Sequence, residues 1–338
     1  LPNKPLPYYT YHNLELQNQI VMNPKRKFII PLIYSVLISL SLLVTNSCQT
    51  EIEVTPPDYY NKNVVEGYIE IGKEPIVSIH RSVPYFSDIN FSTLMNDVFI
   101  DDAVVTVTSE FGESEVLTLQ QSEDAPLFFA YKGSQLKGQP NTTYHLKIEL
   151  DGKVYTSETR ILEPFALDSL FFVEINELYN DSTANIRFAI TDNPAQTNYY
   201  QFRVKVRNRL FHDRMWVNTL PAVFDDIVIS GTTFEYDLIR ATPSMLFTNF
   251  EDEETINAYN SLAYHVGDTV LVNYSQIDYN AYRFWNTANS DMMMGQNPFT
   301  NPIPIQSNIH CDSGEEALGV WCGYAGTTDT LIFSEPWR

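Results

Sequence analysis

The stretch Thr143–Leu150 (TYHLKIEL), Asp151-Gly152 and Lys153–Thr159 (KVYTSET) limits the fold more than any other part of the chain. Apolar and polar residues alternate on both sides of an Asp-Gly step. That is the pattern of an antiparallel hairpin closed by a two-residue turn. A helix of period 3.6 cannot gather such an alternation onto one face. The same period recurs upstream. Val64–Ile71 (VVEGYIEI) and Ile76–Arg81 (IVSIHR) flank a turn at Gly72–Pro75, and Ala103–Thr108 and Ser114–Leu119 flank one at Phe111–Glu113. Phe128–Tyr131 adds another short strand before a turn at Lys132–Gly138. Roughly seven short strands in about 100 residues predict an immunoglobulin-like or transthyretin-like sandwich, here over 63–162.

Glu163-Pro164 reads as a boundary, because proline cannot donate into a ladder and holds its neighbour extended. Ser169–Ile175, Ala184–Ile190, Tyr199–Arg207 and Gly267–Tyr274 then restart the β pattern, while Leu210–Pro221 and Phe224–Ile229 are irregular. One helix is predicted near 278–290. Ser275 or Asp278 can cap it, and Tyr279, Tyr282 and Trp285 recur at spacing three. The fold class is therefore mainly β: a sandwich, then a second β-rich domain over 163–338 with one short helix.

Met22–Cys48 sets the address. Lys25, Arg26 and Lys27 precede an apolar run from Phe28 to Val44, then small and polar residues up to Cys48. This is the layout of a secretory signal, and the run is short for a spanning helix, which needs roughly 20 residues. Cys48 after Thr45-Asn46-Ser47 resembles a bacterial lipoprotein cleavage box, with Thr where Leu is usual. The expected organisation is an upstream non-native or untranslated extension at 1–21, a signal peptide at 22–47, lipidation at Cys48 and a tether over 48–62. The alternative is an uncleaved anchor with an incidental cysteine. Glu51 and Glu53 fit either a surface-export signal or an ordinary charged linker.

With 21 basic and 42 acidic residues the chain carries a formal net charge of −21. That excess argues against nucleic-acid binding and against adhesion to anionic lipid by charge. In an exported chain Cys311 and Cys322 are expected to form a disulfide, worth about 3 kcal/mol by loop closure. A zinc site of His310, Cys311 and Cys322 is the alternative, and it lacks a fourth ligand at recognisable spacing. His80, His145, His212, His265 and His310 are scattered without ligand spacing. The acidic run Asn249–Thr255 lacks the spacing of a calcium loop. Met292–Met294 reads as core filler rather than a copper site. Four Asp-Ser/Thr-x triplets (168–170, 181–183, 268–270, 329–331) resemble O-glycan acceptors. There is no nucleophile elbow, zincin helix, Walker loop or dinucleotide fingerprint. No catalytic residue, metal or cofactor is assigned, and the ligand-binding residues are left unknown.

Several landmarks come in a telling order. They are Val65-Glu66-Gly67-Tyr68-Ile69, the Tyr144–Ser157 hairpin, Asn198-Tyr199-Tyr200, and Gly267-Asp268-Thr269-Val270 leading through Ser275-Gln276-Ile277-Asp278 into the aromatic helix. Asn297-Pro298-Phe299 and Ser307-Asn308-Ile309 before Leu318-Gly319-Val320 complete it. In that order they resemble a family of Bacteroidetes outer-membrane lipoproteins known as domain of unknown function 4249. The Cys311/Cys322 pair replaces a short glycine turn expected there. The resemblance implies a β-sandwich joined to a second β-rich domain, and members that stand beside TonB-dependent outer-membrane transporters. The functional expectation is a non-enzymatic accessory or ligand-capturing subunit of such a barrel. The alternatives are a structural or adhesive surface protein and a hydrolase.

Overall fold

The computed structural model describes Ser35 and residues 61–83, 98–122, 129–175, 182–207, 216–227, 229–240, 263–294 and 303–337. The chain divides into Leu1–Asp58, of which Ser35 is described, and Tyr59–Arg338. Apart from Ser35, the signal segment lies outside the described residues, as do Cys48, the acidic run at 249–255, His212 and Asn297-Pro298-Phe299.

Among the described residues, seventeen strands and one helix belong to the second unit. The strands are β1 Asn63–Glu70, β2 Ile76–Arg81, β3 Val104–Ser109, β4 Ser114–Val116, β5 Thr118–Gln121, β6 Phe129–Lys132, β7 Thr142–Leu150 and β8 Lys153–Ile161. Then come β9 Ser169–Glu174, β10 Thr183–Thr191, β11 Tyr199–Val206, β12 Val217–Asp225, β13 Thr233–Arg240, β14 Tyr264–His265 and β15 Thr269–Gln276. Helix α1, Tyr279–Met294, precedes β16 His310–Cys311 and β17 Leu318–Ile332. The fold is mainly β, as its periodicity dictates. The predicted hairpin is β7–β8, with Asp151 and Gly152 at φ 53° and 75°, the positive values a tight turn matching strand twist requires.

Twelve strands share one sheet, in the order β14-β10-β13-β12-β11-β15-β17-β1-β2-β6-β5 with β9 also on β10; five form a second sheet, β16-β8-β7-β3-β4. The second sheet covers one end of the first. Between them lies a core of Val65, Ile69, Val77 and Ile79 from one side and Val105, Val107, Tyr144, Leu146 and Ile148 from the other, closed by Trp321. This is the predicted sandwich layout. At the other end the large sheet curls on itself. Phe188 on β10 stacks on Phe202 of β11 with ring centres 4.3 Å apart, although these strands stand three places apart in the sheet. A flat sheet would hold them about 14 Å apart.

The expected division at 162/163 does not separate two bodies, because β17 belongs to both halves. Its first part, Leu318–Tyr324, pairs parallel with β1, and its second, Ala325–Ile332, pairs antiparallel with β15. The length of β17 is hidden in the sequence by its glycines, of which Gly319 is there for contact rather than for turning. Gly319 sits at φ 124°, and a Cβ there would lie 1.8 Å from the Val65 carbonyl oxygen. At Gly67 a Cβ would lie 2.9 Å from the Trp321 ring. Strand β13 also escaped expectation, because its exposure follows no clean alternation.

Alternate residues of β17 enter different cores. Trp321 and Ala325 join the sandwich, whereas Val320, Cys322 and Tyr324 face α1, against Ala281, Tyr282, Phe284 and Trp285. The expected Cys311–Cys322 disulfide is therefore not formed. Both thiols are free; Cys311 packs against the sandwich core while Cys322 points to the other face of the sheet. The same separation takes Cys322 away from His310 and Cys311 as a zinc set.

Candidate functional site

The alternation of β1 sends Val65, Gly67 and Ile69 toward the sandwich and Glu66, Tyr68 and Glu70 toward the opposite face. That second face is covered by α1, so two carboxylates and a tyrosine enter an enclosed region between sheet and helix. Helix α1 is aimed there by Asp278. Its Oδ1 accepts the Ala281 N–H at 2.9 Å as an N-terminal cap, while its Oδ2 accepts from the Thr159 hydroxyl and the Arg160 N–H of β8.

Arg203 of β11 crosses this face. It is buried, and its Nη2 donates to Glu70 Oε1 at 2.7 Å and to Asn273 Oδ1 of β15 at 2.9 Å. The guanidinium carbon stands 4.0 Å from the centre of the Tyr324 ring and 5.8 Å from those of Tyr68 and Trp216. One side chain thus reaches from β11 past β15 and β17 to β1, held by a carboxylate and by aromatic faces. The other oxygen of Glu70 pairs with Lys73. Burial works against ionising Glu70, but Arg203 and Lys73 outweigh it and hold the carboxyl below its ordinary range. Burial likewise opposes charge on Arg203, yet Glu70 keeps the guanidinium firmly protonated, its pKa raised.

Beside this pair is a cavity of about 80 Å³, walled by Glu66, Tyr68, Arg203, Trp216, Asn218, Trp285, Val320 and Tyr324. Three polar groups on its wall are unspent. Arg203 Nε and Trp285 Nε1 are buried donors without a hydrogen-bond partner among the described residues. Glu66 makes no hydrogen bond among them; burial raises its carboxyl above the ordinary range, partly offset by the charge of Arg203. Each unmet buried donor costs about 1–3 kcal/mol. Glu66, Tyr68, Trp216 and Trp285 are all partly exposed, so the cavity reaches the surface.

A wider groove of about 500 Å³ lies between the outer face of the five-stranded sheet, the start of α1 and the segment entering β16. His145, Lys147, Glu158, Arg283, Gln306 and His310 line it. His145 Nδ1 is 3.7 Å from Glu158 Oε2, and Arg283 donates to Gln306 at 2.9 Å. The groove brings together two of the scattered histidines, while His80 lies in β2 and His265 in β14. Among the described residues no three His, Cys, Asp or Glu side chains are spaced to hold a metal ion. The side chains of Met292–Met294 lie outside the described residues.

None of the cavity residues was singled out for binding from sequence. In Tyr199–Arg207 (YYQFRVKVR) Arg203 shares the polar side of an alternating strand with Gln201 and Lys205, so the sequence reads it as a solvent-facing position.

Fold and cavity together define a class: a large curled sheet, covered at one end by a second sheet and on one face by a helix, with a polar–aromatic pocket beneath that helix. The sequence profile described as "Domain of unknown function (DUF4249)" matches residues 49–330, and the chain belongs to that family. No curated protein matches the chain.

Proposed function

We propose that the protein is a non-enzymatic lipoprotein of the cell envelope, anchored in the outer membrane through lipid on Cys48, which captures a small ligand as an accessory subunit of a TonB-dependent outer-membrane transporter. The observation that carries the capture reading is the cavity beside Arg203, where the unpaired Glu66 carboxyl meets aromatic walls. Such sets of a few convergent polar groups on apolar walls are how proteins fix small solutes. The groups favour binding over turnover. Both oxygens of Glu70 are occupied by Arg203 and Lys73, which leaves Glu66 as the one unengaged carboxyl on the cavity wall. A hydrolase working through two carboxylates places one on each side of the bond to be cut, and among the described residues of the cavity wall Glu66 is the one carboxylate. The anchor and the transporter partner rest on the Met22–Cys48 layout and on the family likeness.

The test is a mild-detergent pull-down of tagged protein from the outer membrane of its native host, followed by mass spectrometry. The proposal expects a TonB-dependent barrel in roughly equimolar amount and a lipid-modified N-terminal Cys48 peptide. A lipoprotein recovered alone contradicts the transporter role and favours a stand-alone surface protein.

A further inference from the structure

We infer that the groove between the five-stranded sheet, the start of α1 and the segment entering β16 binds a small hydroxylated anion, a sugar acid or sugar phosphate, with its oxyanion on Arg283 and its hydroxyls on Asn280 and Glu158. This is a second site, since the groove shares no lining residue with the cavity beside Arg203.

Arg283 carries the argument. Arg81, Arg160, Arg187 and Arg203 each pair with a carboxylate. Arg283 is held by neutral partners instead. Its Nη2 donates to Gln306 Oε1 at 2.9 Å, and its guanidinium carbon stands 5.7 Å from the centre of the Tyr279 ring. In a chain with 42 acidic residues against 21 basic ones, an arginine fixed in place without a carboxylate is free for an external oxyanion. Its Nε and Nη1 make no hydrogen bond among the described residues and are not buried, so a solute in the groove reaches them. A guanidinium fork fits a carboxylate or a phosphate with two parallel hydrogen bonds.

The rest of the wall sets the remaining chemistry. Glu158 lines the same groove and makes no ion pair with Arg283; its neighbour is His145 at 3.7 Å, beyond hydrogen-bond distance. Asn280 and His310 are exposed, and their side chains make no hydrogen bond among the described residues. An amide, an imidazole and a carboxylate on one concave wall offer donors and acceptors together, and hydroxyl groups satisfy both. Lys147 adds a second cation. Its contact with exposed Glu149 at 3.0 Å is a surface pair worth under about 1 kcal/mol. Cations thus outnumber the one carboxylate on the wall, which favours an anion over an ammonium ion. Glu158 in turn disfavours a bare anion such as acetate or sulfate, which brings it no donor. At about 500 Å³ the groove has room for a sugar ring.

Isothermal titration of the full-length protein with glucuronate and glucose-6-phosphate tests this, with glucose, acetate and sulfate as controls. The expected result is saturable binding of one or both sugar anions, at least about tenfold tighter than any control. Binding of glucuronate alone assigns a carboxylate ligand, and of glucose-6-phosphate alone a phosphate. Arg283→Gln should weaken that binding about tenfold or more, and Asn280→Ala about threefold. Neither side chain belongs to a core cluster, so both variants should keep the fold. Glu66→Gln, in the other cavity, should leave the affinity unchanged; a loss there would move the solute beside Arg203 and overturn the site. Absence of binding by both sugar anions, equal binding of glucose, acetate or sulfate, or unchanged affinity in Arg283→Gln would also overturn the inference.

Discussion

Glu66 and Glu70 sit four residues apart on one face of one strand and meet opposite conditions. Glu70 is paired with Arg203 and Lys73, and its pKa lies below the ordinary 4.5 despite burial. Its contribution to stability is therefore complete above the unfolded-state value and is lost as pH falls through the folded-state one. Glu66 is raised above 4.5, chiefly by burial. Its contribution is present below the unfolded value and is lost as pH rises through the folded one. Two substitutions of the same kind should thus have opposite signs. At pH 7 Glu70→Gln should destabilise by about 3 kcal/mol, because it leaves Arg203 buried without its counter-charge. Glu66→Gln should leave the urea midpoint unchanged or raise it. Urea denaturation across pH 4 to 8 would check both, and equal signs at neutral pH would refute the assignment. These roles are hidden in the sequence. Both glutamates read as outward positions of a half-buried strand, and what turns that face inward is α1, which lies in a distant part of the chain. Gly319 is similar. Its φ of 124° and the Val65 carbonyl beneath it follow from a parallel pairing that periodicity does not reveal. Gly319→Ala should cost at least about 3 kcal/mol or prevent folding; a loss under about 1 kcal/mol would contradict the close packing of β1 and β17.

The elements most legible from sequence are those whose partners are close in the chain. The β7–β8 hairpin announces itself through Asp151-Gly152. Helix α1 announces itself through Asp278, although it extends to Met294 rather than ending near residue 290. The stripe expected on Tyr279, Tyr282 and Trp285 is rotated in the structure. Ala281 is the fully buried position and Tyr279 remains exposed, because the short alanine lets the helix approach β17. Asp278 both caps α1 and docks it on β8. Asp278→Ala should cost about 2 kcal/mol, more than a cap on an isolated helix, and should loosen Trp285. A urea midpoint left unchanged by the substitution would argue against that coupling. Strand β17 was illegible, since its alternation serves two cores and its glycines resemble a turn. Its consequence for the cysteines is measurable. Cys311 should label with a thiol reagent in the folded protein, and Cys322, buried and with its thiol pushed up by desolvation, only after unfolding. Peptide mapping that found Cys311 joined to Cys322 would contradict this.

Across the whole second unit, the C-terminal strand lies in the middle of the large sheet, with the first strand beside it. Asn308 strengthens that closure. Its side-chain amide donates to the Trp321 carbonyl at 2.8 Å and accepts the Trp321 N–H at 2.9 Å, acting as a strand partner. The Trp321 indole in turn donates to the Tyr144 carbonyl at 2.9 Å. A fragment covering 61–162, a plausible domain from the sequence alone, lacks β16, β17, Ile309 and Trp321. It should not unfold cooperatively by circular dichroism, and a sigmoidal melt would show that the halves are independent. The cavity is a product of the same closure, since β1, β11, β17 and α1 each supply part of its wall. Its reading as a small-ligand site is the central claim. The most direct measurement is a crystal structure of the protein purified from its native host. An ordered solute in the cavity beside Glu66 and Arg203 is the predicted result. A cavity holding only water, or closed by movement of Trp285, would contradict the account.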